Sequence, residues 1–322
     1  MELSVFNPIL ADMTFEEALK YLSSLGVYSI ELGCGGFPGT AHADAFKLNR
    51  NPDELEKLKE LINKYSFKIC ALSTHCNPVH PDKETADKAR SDFEETCILA
   101  EKLSVDTVIM FSGCPGDCEN SKYPNWVVCP WPDDFLEILD YQWNKVLIPY
   151  WKEAADFAAK HSVKKIALEM HPGFCVYNPE TVMKLRNAVG DIIGANVDPS
   201  HLIWQGIDPV RAIKYLGDAV HHFHAKDTKV DTYNTSLNGV LDTKHYTKEL
   251  QRSWIFRTVG YGSDAAKWKE IFSALNAIGY NGAVSIEHED SLMSVKEGLE
   301  KAIDFLKNTM IREPKPEGIN WA

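Results

Sequence analysis

KKIALEMHPGFCVYNPETVMKLRNAVGDIIGANVDPSHLIWQGIDP (164–209) reads as a strand, a helix and a second strand. KKIALEM (164–170) and DIIGANV (191–197) are short apolar runs of the kind that suits strands buried on both faces. The helical run NPETVMKLRNAVG (178–190) lies between them. Repeated strand–helix units of this sort build a parallel sheet.

The same alternation continues in both directions. Further strands are expected at 3–7, 28–32, 67–72, 106–111, 219–225 and 283–289. Helices are expected at 14–26, 51–66, 84–104, 133–162, 208–217, 264–279 and 294–310. The first helix has a Thr cap, Glu at the capping-box position and a terminal Gly; the second opens with Asn-Pro. Eight strands alternating with eight helices over 322 residues fit an α/β fold, a single (β/α)8 TIM barrel, better than an open sheet. The barrel is expected over 1–311, with 312–322 as an extended tail. Long loops follow strand four (112–132) and strand seven (226–263), on the face where such barrels place their sites.

Hydrophobic residues at 44% and charged residues at 25% describe an ordinary globular chain with enough apolar material for a full core. The net charge of -12 and the lack of a basic patch argue against a nucleic-acid partner. No apolar run reaches the roughly 18 residues of a membrane span, and the start of the chain reads as a strand rather than an export signal. Eight cysteines in such a chain suit reduced thiols and a cytoplasmic setting. Cys114, Cys118 and Cys129 share one loop, where a zinc site is the alternative to free thiols.

Four consecutive strand ends carry a metal-type ligand: Glu169 in LEMHP, Asp198 in NVDPSH, His224 in HFHAKD and Glu287 in SIEHED. Each alone reads as a cap, a salt-bridge partner or a core histidine. All four in register point to a divalent ion such as Mn2+, with Mg2+ or Co2+ as alternatives. His171, two residues past Glu169, is either a proton shuttle or a loop histidine before Pro172. His201, His75 and Asn77 are candidate substrate groups, and Glu31 is a further carboxylate for the mouth. Trp254, Arg257 and Tyr261 either cover substrate or pack the loop. An ion bound to a carbonyl and the neighbouring hydroxyl acidifies the C–H between them, and a carboxylate or imidazole then removes the proton. Epimerisation, isomerisation or elimination follows.

At LEMHPGF, NVDPSHLIWQGIDP, HFHAKD and GYNGAVSIEHED the chain resembles the xylose isomerase-like TIM-barrel superfamily of sugar isomerases and epimerases. The resemblance implies that Glu169, Asp198, His224 and Glu287 are metal ligands. In the ketohexose 3-epimerases of that group the glutamates matching Glu169 and Glu287 also exchange the proton, and His201 matches a substrate-binding histidine. Two positions depart from those epimerases: Cys175 replaces a glutamate and Val230 an arginine. The pair Glu169–His171 and the segment SWIFRTVGYG resemble instead the large subunit of bacterial C-glycoside deglycosidases. That implies a Mn2+-dependent lyase acting on 3-oxo-glycosides, with His171 as base and a small β-sandwich subunit or a second copy as partner. Rival classes are an endonuclease IV-like nuclease, a sugar-binding barrel without catalysis and a zinc hydrolase.

Overall fold

A computed structural model describes residues 1–313 and Gly318. Eight strands close a parallel barrel: β1 (Glu2–Phe6), β2 (Ser29–Gly33), β3 (Lys68–Ser73), β4 (Thr107–Phe111), β5 (Lys165–Glu169), β6 (Ile193–Val197), β7 (Val220–Ala225) and, after an antiparallel pair β8 (Asp227–Val230) and β9 (Trp254–Arg257), β10 (Ala283–Ile286). β10 pairs with both β1 and β7, which closes the ring. The expected (β/α)8 barrel is therefore the fold. The expected 312–322 arm lies outside the described residues apart from Arg312, Glu313 and Gly318.

Helix starts follow the local chemistry. Thr14 and Glu17 form a reciprocal capping box at Phe15–Ser24, and Asn51 caps Pro52–Lys64. The long helix expected at 133–162 is continuous, but its middle turn, Tyr141–Leu147, is π-helical. Pro149 has no N–H to return to the carbonyl of Lys145, and the ladder widens just before it.

Two features add to the sequence reading. The loop 226–263 is partly ordered by β8 and β9 and carries a short helix, Thr232–Asn238. A short helix, Pro199–Trp204, begins immediately after β6 and is capped by Asp198. One apolar core lies between the barrel and its helices, with Trp151, Trp268, Phe93 and Phe223 fully buried. Ala71, Ile109 and Ala167 pack separately from it. Polar groups are also buried, among them Glu31, Ser73, His222 and His224.

Candidate active site at the barrel mouth

Glu169 ends β5 and is buried. Its Oε2 lies 3.0 Å from His75 Nε2, 3.1 Å from Asn196 Nδ2 and 3.3 Å from His224 Nδ1; its Oε1 is 3.1 Å from His201 Nε2. Burial opposes the charge, but His201, His224 and His75 outweigh it and hold the carboxyl well below the usual range. Glu287, one residue past β10, has its Oε2 3.1 Å from His224 Nδ1 and 2.9 Å from Lys226 Nζ. Burial again opposes its charge, yet Lys226 brings it down to about 2.

Glu31, fully buried on β2, sits behind His224 rather than at the open mouth. Its oxygens lie 3.0 Å from His224 Nε2, one of them 2.9 Å from His222 Nε2, and Ser73 donates to it. A carboxylate on one ring nitrogen fixes the imidazole and frees the other for a metal. Here the other nitrogen is Nδ1, which meets Glu287 and Glu169.

Asp198 has two duties. Its Oδ1 accepts from the Ser200 N–H at 2.8 Å and caps the short helix. Its Oδ2 is buried without a hydrogen bond, although Lys226 Nζ is 3.1 Å away. His201 Nε2 is likewise buried without a partner in hydrogen-bond geometry. Such orphaned atoms at a polar centre are rare unless something else binds them. The ligand atoms of Glu169, His224 and Glu287 lie within 4.8 Å of one another, as do those of Glu169, His171 and His201. Carboxylate and imidazole donors of this kind could hold one divalent ion; Glu169, His224 and Glu287 are grouped for it, and Asp198 stands outside that group.

His171 lies at the rim. Its Nδ1 is 2.6 Å from the Pro172 carbonyl, which can only accept, so Nδ1 carries the proton and Nε2 is the basic nitrogen. Burial, then the neighbouring His201, lowers its pKa to about 3, so the ring is unprotonated at neutral pH. The two rings are 4.2 Å apart.

A cleft of 590 Å³ opens beside His171. Phe111 and Phe174 form one stacked wall, with ring centroids 4.3 Å apart; Tyr246 and Phe256 form another at 5.9 Å. A smaller pocket of 280 Å³ touches His171 and His201 and is lined by Trp126, Trp204 and Trp254.

Other expected site residues have different surroundings. His75 is buried against Glu169 and Phe111 and supports the carboxylate. Asn77 does not face the site: its amide bonds the Cys114 backbone in both directions. Arg257 is engaged by Asp290 at 3.2 and 3.1 Å. Trp254 stacks on Trp204 at 4.5 Å and donates to the Val240 carbonyl, while part of it lines the smaller pocket. Cys114 is buried, and Cys118 and Cys129 are exposed. Among the described residues the three thiols belong to no metal-type cluster.

The sequence reading missed Lys226. It lies two residues past His224, where the period of a strand returns to the same face, so the signal was available. It also missed the two aspartates that fasten the cover. Asp227 accepts from the N–H groups of Gly260, Gly262 and Ser263 and from Trp268. A Cβ at Gly262 would run into the Thr228 carbonyl, so the chain needs glycine there. Asp290 takes Arg257 and both the N–H and hydroxyl of Thr258.

Residues 19–309 match the family model described as xylose isomerase-like TIM barrel. The chain belongs to this family. It is 39% identical to the uncharacterized protein YfiH of Bacillus subtilis (strain 168), over 96% of this chain and 99% of that one. It is 22% identical to an inosose dehydratase of Geobacillus thermodenitrificans (strain NG80-2), over 92% and 90% of the two chains. Among solved structures it resembles the IOLI protein, determined with a bound zinc atom, at a TM-score of 0.65 and 21% identity over 96% of each chain. That last likeness is one of fold.

Proposed function

We propose that the chain is a divalent-metal-dependent carbohydrate enzyme that removes a proton next to the carbonyl of a keto-sugar and expels the group on the following carbon. The specific reaction is elimination from a 3-oxo-C-glycoside. The observation that carries it is the position of His171. Its Nδ1 proton is tied to Pro172, its Nε2 keeps an unprotonated lone pair, and its ring lies between the ligand cluster and an aromatic cleft.

Glu169, Asp198, His224 and Glu287 would hold the ion, and Mn2+ suits their hard donors. When bound, it supplies Lewis-acid polarisation of the substrate carbonyl. The protein supplies the rest. His171 Nε2 takes the proton, the C–H electron pair becomes the new double bond, and the bond to the aglycone carries its pair away with the leaving group. His201 holds a sugar hydroxyl, and the Phe111–Phe174 and Tyr246–Phe256 walls hold the aglycone. The inosose dehydratase relative fits an elimination by its name.

Epimerisation or isomerisation is the second reading, with Glu169 and Glu287 exchanging the proton. Cys175 is buried and Val230 belongs to β8, so neither supplies the polar group of the ketohexose epimerases. A DNA substrate is disfavoured by the net charge of -12. Among the described residues no helix is long and apolar enough to cross a membrane. A cytoplasmic setting fits the free thiols. A small subunit or second copy fits the exposed Tyr233, Leu237 and Leu250 of the 226–263 segment.

Metal-stripped and Mn2+-loaded protein, with 3-oxo-glycosides and free ketoses in parallel, test the proposal by product analysis. Aglycone release that needs Mn2+ and is lost in His171→Ala supports elimination. Ketose interconversion that survives His171→Ala and is lost in Glu287→Gln selects the second reading.

A further inference from the structure

The Lys226 side chain is only 2% exposed. Its Nζ lies 3.1 Å from Asp198 Oδ2, 2.9 Å from Glu287 Oε2 and 3.2 Å from Glu289 Oε2, and 4.7 Å from the centre of the Phe256 ring. Two of these carboxylates are proposed ligands of the divalent ion. Glu169, His224 and Glu287 already form one cluster, whereas Asp198 stands outside it and meets Glu287 across the ammonium group. Glu289 differs from the other two: its side chain is 52% exposed.

Carboxylates gathered in a buried site repel one another and need a cation. In the structure the ammonium of Lys226 lies among Asp198, Glu287 and Glu289. A divalent ion among the same oxygens would repel the ammonium that touches them, which favours its leaving these contacts. The four-carbon stem of lysine lets the head group move while its root stays fixed. The third contact, Glu289, gives it a place to go on the solvent side.

We propose that Lys226 is a tethered cation that holds Asp198 and Glu287 together in the metal-free protein and is displaced onto Glu289 when the divalent ion binds. The inference rests on the metal centre of the proposed function, and it goes beyond that reading by giving the chain an internal competitor for the metal. It assigns Lys226 and Glu289 as positioning residues that set metal affinity.

The test is Mn2+ titration by calorimetry, with thermal melting, of the wild type, Lys226→Met, Glu289→Gln and the double variant. Lys226→Met is expected to bind Mn2+ about tenfold more tightly or better, since the competitor is gone. Its metal-free form melts lower, and Mn2+ raises its melting temperature further than it raises that of the wild type. Glu289→Gln weakens Mn2+ binding in the wild-type background and has no effect once Lys226 is removed. Equal or weaker Mn2+ binding by Lys226→Met, or the same Glu289→Gln effect in both backgrounds, overturns the inference alone. No Mn2+ binding by any of the four overturns the metal centre with it. Crystal structures of the wild type with and without Mn2+ decide the matter even where Lys226→Met does not fold. Nζ is expected to leave Asp198 and Glu287 and keep Glu289; an ammonium still between the first two beside the ion contradicts it.

Discussion

The strand ends and the 226–263 segment meet over one site and are built by different rules. At the strand ends each polar group is buried and held by another: Glu31 behind His224, His75 and Asn196 on Glu169, and the short helix on Asp198. The 226–263 cover is aromatic, half-exposed and fastened at its two sides by Asp227 and Asp290. Under the proposed function, the reaction step and the choice of substrate fall to different parts of the chain. A fixed polar centre suits one reaction step, and a replaceable aromatic cover suits the choice of substrate.

Substitutions on either side separate the two roles. The largest effect is expected at the centre. His171→Ala should lower kcat by about 10²–10⁴-fold, the usual share of a general base, while Mn2+ affinity stays near that of the wild type. A comparable loss of Mn2+ affinity would make His171 part of the metal shell instead. At the fastening, Asp227→Ala leaves the buried Trp268 indole and the half-buried N–H groups of Gly260, Gly262 and Ser263 without an acceptor and should cost about 1–3 kcal/mol of stability, read by denaturant unfolding. It should also raise KM as the cover loosens. On the cover itself, Phe256→Ala should raise KM by about tenfold for substrates with an aromatic aglycone, with kcat almost unchanged. An equal effect on small ketoses would show that the cover does not select.

A last contrast lies between two sides of one strand. His222 and His224 reach Glu31, whereas His221, on the other face of β7, lies near Arg186 and Lys165. Burial, then Arg186, pushes His221 down to about 4 from 6.5. A group with a depressed folded pKa contributes stability that is whole above its unfolded value. That contribution is therefore lost as pH falls from 6.5 towards 4. The slope is at most about 1.4 kcal/mol per pH unit. His221→Gln should remove this part of the acid slope in melting temperatures; an unchanged slope would show that other groups set it.

Much of this was legible in the sequence because strand ends in a barrel converge. A ligand type repeated at four successive strand ends could be read without knowing any side-chain contact. What a polar side chain meets was not legible. Asn77 and Arg257 have the right chemistry for sugar binding, yet Cys114 and Asp290 engage them. β8 and β9 escaped notice because DTKV is short and polar and finds its partner across a long stretch of chain. Asp198 was read as a ligand; its task as a helix cap depended on a six-residue helix that the motif NVDPSH concealed.

The central claim is that the mouth removes a proton from carbon next to a carbonyl, and isotope exchange tests it most directly. Mn2+-loaded protein with a 3-oxo-glycoside in D2O is followed by NMR, beside metal-stripped protein and Glu287→Gln. Aglycone release is expected to require Mn2+ and to go with loss of the original hydrogen from the carbon next to the carbonyl, deuterium entering there only in substrate that is reprotonated, with none of this in the two controls. Aglycone release without Mn2+, or with the original hydrogen still on that carbon, would contradict it.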